Sequence, residues 1–157
     1  MTIEYLTYVR ENPILRGFKN EPMPLAEIAK LELKYNKGKE FPKAFREFLY
    51  LAGAFNNFAF DDIDGLEELQ QYAKEDLEKT KQKVIKPFFT FNVYDAEYTS
   101  LFLDETAEDP KVYIIDPFGA KEGKPLIRIP TGGFKENYTF TELVNESIRR
   151  VKNNIAF

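Results

Sequence analysis

The 157 residues contain no cysteine, no histidine and no tryptophan. Without cysteine there is no disulfide, thiolate metal site or thiol nucleophile, and without histidine there is no imidazole base or ligand. Serine is scarce as well: with only Ser100 and Ser147, covalent catalysis would need a Ser-Lys or Thr-Lys pair, and no local signature for one is present. An excess of basic charge is also missing. Lys plus Arg is 22 against 26 for Asp plus Glu, a net charge of −4, which is a poor basis for gripping a phosphate backbone, so nucleic acid is not an expected partner. Long apolar runs are absent too: the longest, Phe48 to Phe55, has eight residues, whereas a membrane span needs roughly 18 or more. Met1-Thr2-Ile3-Glu4-Tyr5-Leu6 lacks the basic start and apolar continuation of a signal peptide, which predicts a cytoplasmic protein with no membrane partner.

What remains suffices for a core. Apolar residues make up 43% and aromatics 15%, too much for a disordered chain, and this length predicts one domain over residues 1–157. Ile3, Leu6, Val9 and Arg10 suggest a short first helix ended by Asn12-Pro13, with an ordered connection over 12–24. Helical spacing of Leu25, Ile28, Ala29, Leu31 and Tyr35 predicts a helix over 25–36. Phe45, Phe48, Leu49 and Ala52 predict a second over 42–52, with Pro42 in its first turn and Gly53 as a left-handed cap. A third is expected over 66–82, capped by Asp64 with Glu67 reaching back, its buried stripe being Leu66, Leu69, Tyr72, Ala73 and Leu77.

Beyond Pro87 the period changes to two. Phe89, Phe91 and Val93 are expected to face one way, and Thr99, Leu101 and Leu103 to continue the alternation after a hairpin at Asp95-Ala96-Glu97. Val112–Ile115 and Leu126–Ile129 read as two further strands, joined by a polar turn from Pro117 to Pro125. Thr139 or Thr141 caps a closing helix over 139–153. The whole predicts an α+β fold, with a mostly antiparallel sheet of at least four strands flanked by N-terminal helices and a C-terminal helix.

No motif in the chain supports a metal or cofactor site. Asp61-Asp62-Ile63-Asp64-Gly65 fails as a calcium loop, because from Asp62 the sixth position is Glu67 instead of glycine and the twelfth is Ala73 instead of glutamate. Gly119 to Lys124 is one residue short of a phosphate loop, and Pro125 replaces its Ser or Thr. Asp104-Glu105 and Glu108-Asp109 have the composition of an acid–base pair, but charge-rich turns are ordinarily solvated. The rival enzyme class is a hydrolase using Asp61, Asp62, Asp104 or Asp109 around Mg²⁺. Charge is unevenly placed: residues 61–82 carry eight acidic and three basic side chains, and 95–109 carry six acidic and none basic. Such separation suits steering of a basic protein, with two solvated acidic surfaces as the plainer alternative.

Glu27-Ile28-Ala29-Lys30-Leu31-Glu32, Tyr35, Phe41-Pro42, Phe45, Phe48-Leu49 and Ala52-Gly53 follow one another in an order that resembles the opening of the SUKH superfamily, which includes the Smi/Knr-type regulators of fungal cell-wall synthesis. The acidic helix at Gly65–Leu69, the Phe-rich strand, Leu103-Asp104, Pro110 before Val112-Tyr113, and Phe140 before the closing helix extend the resemblance over roughly residues 24–153. Ala54 stands where a second glycine is common, and the Asp95-Ala96-Glu97 hairpin lacks the glycines often seen there. The resemblance implies a non-enzymatic protein-binding domain without cofactor. In bacteria such domains are often immunity proteins against a nuclease or deaminase toxin; the alternative is a regulatory scaffold. On that basis the acidic residues Asp61, Asp62, Asp64, Asp95, Glu97, Asp104, Glu105, Glu108 and Asp109 are expected to steer a basic toxin domain, with Tyr94 and Tyr98 as aromatic anchors. The plainer alternative is that both tyrosines are ordinary strand surface.

Overall fold

The computed structural model describes residues 1–60, 65–130 and 137–156. In chain order its elements are α1 (Thr7–Glu11), β1 (Ile14–Leu15), β2 (Phe18–Lys19), α2 (Leu25–Tyr35), α3 (Lys43–Ala52), α4 (Leu66–Thr80), β3 (Phe88–Tyr94), β4 (Glu97–Phe102), β5 (Tyr113–Ile115), α5 (Pro117–Lys121), β6 (Ile127–Arg128) and α6 (Phe140–Lys152). The class is α+β, with β3 to β6 forming an antiparallel meander in sequence order. The chain divides into two compact units: Met1–Phe60 with Thr106–Pro110 and Thr139–Phe157, and Asp61–Glu105 with Lys111–Tyr138.

The first unit is built on phenylalanine. Phe45 and Phe48 recur on the buried side of α3 and meet Phe41, Phe58, Phe60 and Phe140 edge-on, with centroids 5.3–6.0 Å apart, the geometry that the ring quadrupole favours. Helix α3 begins one residue after Pro42, which is its N-cap. Gly53 does not take the expected left-handed cap: it is right-handed helical at φ −74°. Its glycine is required instead by close approach, since a Cβ there would lie 2.7 Å from Leu49 Cα. At α6, Thr139 accepts the Glu142 N–H and the Glu142 carboxylate accepts the Thr139 N–H, a full capping box. The connection over 12–24 contains a two-residue hairpin turn at Arg16-Gly17, both at positive φ as such a turn demands.

The same unit buries two carboxylates. Glu47, on α3 and 1% exposed, accepts the N–H groups of Glu4, Tyr5 and Leu6 at 2.8–2.9 Å. It thereby satisfies the N–H of Leu6, the N-cap of α1, and of the two residues leading into it. Glu32 on α2 accepts the Phe41 N–H at 2.9 Å and Arg46 Nε at 2.8 Å. Each is an acidic side chain paid for by donors fixed in place, which is the condition for burying charge.

In the second unit, Ala73 and Leu77 of α4 pack with Tyr98 and Ile115, and Val84, Phe88, Val93 and Leu126 complete this small core. Phe91 is an extra residue in β3: Thr90 pairs with Ser100 and Asn92 with Thr99. This bulge corrects the simple alternation, because one inserted residue inverts the faces beyond it. Val93 therefore shares the face of Phe88, Thr90 and Tyr98 rather than that of Phe89. Helix α4 starts from Gly65 as N-cap with no side-chain cap bond; the expected cap Asp64 lies outside the described residues, and Tyr72, expected in the buried stripe, is exposed. The segment after Pro117, expected as a plain turn, opens with α5, whose N-cap Asp116 accepts the Gly119 N–H at 2.8 Å.

Candidate protein-interaction surface

The β3–β4 hairpin turns through Asp95 and Ala96, both at positive φ (49° and 59°). A two-residue turn of this kind matches the twist of the flanking strands. It sets Tyr94 opposite Glu97 and Val93 opposite Tyr98, so side-chain alternation sends Tyr94 and Tyr98 to opposite faces. Tyr94 is 82% exposed, the most open aromatic ring among the described residues, whereas Tyr98 is 2% exposed. The expectation of paired anchors is corrected accordingly. Tyr98 belongs to the core, and its hydroxyl donates to Asp76 Oδ2 at 2.5 Å. Burial, and then this bond to a carboxylate, push its phenol well above the ordinary range.

By register, Tyr94 shares its face with Asn92, Glu97, Thr99, Ile114 and Arg128, all of them half-buried. Glu97 and Arg128 form an ion pair across this face. The charge of Glu97 is therefore largely answered within the sheet, and Asp95, exposed in the turn, has no ion-pair partner among the described residues. On α4 of the same unit, Glu67, Glu68 and Glu78 are exposed. The charge count points to this stretch, but of the three only Glu67 is named by the sequence pattern, and as a capping residue; the exposed side of the Leu69-Ala73-Leu77 stripe is the available signal.

The remaining predicted residues fall as follows. Asp61, Asp62 and Asp64 lie outside the described residues. In the second unit, Asp104 is 3.8 Å from Lys86 Nζ, and Glu105 accepts the Tyr113 hydroxyl at 3.3 Å. Burial, then the Glu105 charge, raise the Tyr113 phenol. In the first unit, Glu108 accepts the Tyr5 hydroxyl at 2.7 Å, and that bond raises the Tyr5 phenol to about 12. The Glu108 carbonyl also accepts the Ala44 N–H, and Asp109 accepts the Thr141 N–H at 2.9 Å in the first turn of α6. Glu108 and Asp109 are thus structural partners, not merely charges on a solvated turn.

Among the described residues, no three acidic side chains converge as metal ligands, and no helix is long and apolar enough to cross a membrane. Compared with protein-family models, curated proteins and solved structures, the chain matches none.

Proposed function

We propose that the chain is a protein-binding domain of the immunity type, neutralising a basic nuclease or deaminase toxin, and that the β3–β4 tip is its contact surface. The observation that carries this reading is the exposure of Tyr94 beside Asp95, on a strand whose other large residues are buried or half-buried. An exposed aromatic ring on a rigid hairpin loses little freedom on docking and supplies apolar area, while adjacent acid steers a basic partner. The resemblance to SUKH domains supports the same role, and Glu97 beside the tip pairs with Arg128.

The test pairs the chain with any nuclease or deaminase toxin domain whose reading frame lies beside its own. Co-expression with the wild-type chain is expected to restore growth and yield a stable complex. Tyr94→Ala is expected to weaken the complex at least tenfold with an unchanged circular dichroism spectrum. Equal protection by Tyr94→Ala, or no complex with the wild type, overturns the proposal. The hydrolase alternative is addressed separately by thermal shift with Mg²⁺, Mn²⁺ and Ca²⁺, since tight metal binding raises the melting temperature.

A further inference from the structure

Helix α2 buries one side and leaves a second apolar side open. Ile28, Leu31 and Glu32 are buried, while Leu25, Ala26, Ala29 and Leu33 are exposed. Positions 25, 29 and 33 recur every four residues, so they form one ridge about 12 Å long on the helix surface. Leu25 and Leu33, 49% and 71% exposed, are the only exposed leucines among the described residues. Scattered apolar side chains are ordinary on a surface, but a ridge at helical spacing is a contiguous patch of the kind that another molecule covers. Alanine between the two leucines lets a second backbone come close.

Charge along this ridge is mostly of one sign. Residues 25–39 carry Lys30, Lys34, Lys37 and Lys39, all exposed, against Glu27 and Glu32. Glu32 is buried with Arg46, Glu27 is answered by Lys30 at 2.7 Å, and the next acid, Glu40, lies 3.1 Å from Arg46. Lys30 and Lys34 flank the ridge on the helix at the same four-residue spacing. Lys37 and Lys39 follow in the turn around Gly38 and have no ion-pair partner among the described residues. The first unit, which carries α2, has twelve basic and eleven acidic residues, so the acidic excess of the chain lies in the second.

We propose that the α2 ridge docks an acidic amphipathic helix of a protein partner. Leucines flanked by glutamate or aspartate complement an apolar stripe beside a row of lysines: the leucines supply contact area and the unlike charges set the register. A strand would gain no backbone pairing here, because the N–H and C=O groups of a helix are used internally. An anionic lipid surface is the weaker match. Two leucines and two alanines bury little area in acyl chains, and a bilayer extends beyond the patch to face a chain of net charge −4. A helix as short as the ridge senses chiefly the charges within a Debye length of about 8 Å. This partner is distinct from the basic domain proposed at the β3–β4 tip, and neither reading depends on the other.

The test is NMR on the isotope-labelled full chain, titrated at low salt with a blocked, alanine-rich helical peptide of about 18 residues that carries leucine at helical spacing and glutamate on both flanks. The peptide is expected to shift the amides of residues 25–39 saturably, and added NaCl is expected to weaken binding. Leu33→Glu should weaken it at least tenfold, and Lys37→Gln combined with Lys39→Gln severalfold. Ile85→Glu, at an isoleucine 90% exposed outside the ridge, should leave binding unchanged. Absence of shifts at residues 25–39, equal binding by a peptide with lysine in place of glutamate, or an equal loss in Ile85→Glu overturns the proposal. So does cosedimentation with phosphatidylcholine vesicles containing phosphatidylglycerol when the peptide does not bind, the outcome that assigns the ridge to a lipid surface. Should Leu33→Glu not fold, undiminished binding by the lysine double variant overturns the proposal equally.

Discussion

The two units bury polarity with different emphasis. The first buries whole carboxylates, Glu47 and Glu32, and holds them with backbone N–H groups and Arg46. The second buries mainly neutral hydroxyls, Thr90 against Ser100, beside one carboxylate, Asp116, at the start of α5, and sets one phenol against the half-buried Asp76. A buried charge that loses its donors carries a large desolvation cost, while a neutral hydroxyl loses about one ordinary hydrogen bond. The first unit is therefore specified by a few strong contacts between distant residues. The second is specified by strand register, which many modest contacts share.

The largest expected effect follows from that contrast. Glu47→Ala leaves three N–H groups without their acceptor and opens a void, and should cost on the order of 3–5 kcal/mol in urea unfolding. Glu47→Gln keeps the shape and one carbonyl acceptor and should cost less. If both cost under about 1 kcal/mol, the carboxylate clamp is not what orders residues 4–6. In the second unit, Tyr98→Phe removes one hydroxyl and should cost only about 1–2 kcal/mol. A loss as large as that of Glu47→Ala would break the contrast.

Next comes pH. Arg149, with Arg150, holds the Glu146 carboxyl near about 2, below its ordinary 4.5. A depressed carboxylate stabilises the fold above its unfolded value, and this contribution is lost as pH falls from about 4.5 through about 2. Glu146→Gln should lower stability most at neutral pH and progressively less as pH falls through that window, flattening the acid side of the stability profile. An unchanged slope contradicts the pairing. The smallest effect has the opposite sign: Ala96 sits at φ 59°, so Ala96→Gly should stabilise the hairpin by up to about 1 kcal/mol. Destabilisation would mean that the alanine methyl makes a contact worth more than its strain.

The helices were readable because each repeats a short physical rule: the Phe45-Phe48-Leu49-Ala52 stripe, and Thr139 with Glu142 three residues on. The four strands were readable from the change of period after Pro87. The bulge was not, since Phe91 continues the apolar alternation and only pairing with β4 exposes it as an extra residue. Glu47 was missed because a glutamate within a helical pattern reads as solvent-facing, and its partners lie more than 40 residues away. Strands β1 and β2 are two residues each, too short to show a period. At the candidate surface, the opposition of Tyr94 and Tyr98 was available once the turn is taken as two residues long, because pairing 94 with 97 places 98 on the other face.

The central claim is that the exposed β3–β4 tip is where a protein partner docks. Its most direct test is the rate at which the chain associates with and dissociates from a nuclease or deaminase toxin domain found to bind it, followed by surface plasmon resonance over a range of NaCl. The account predicts that Asp95→Lys slows association severalfold at low salt and weakens its salt dependence, and that Tyr94→Ala speeds dissociation at least tenfold. Rates for both variants equal to those of the wild type at every salt concentration would contradict it.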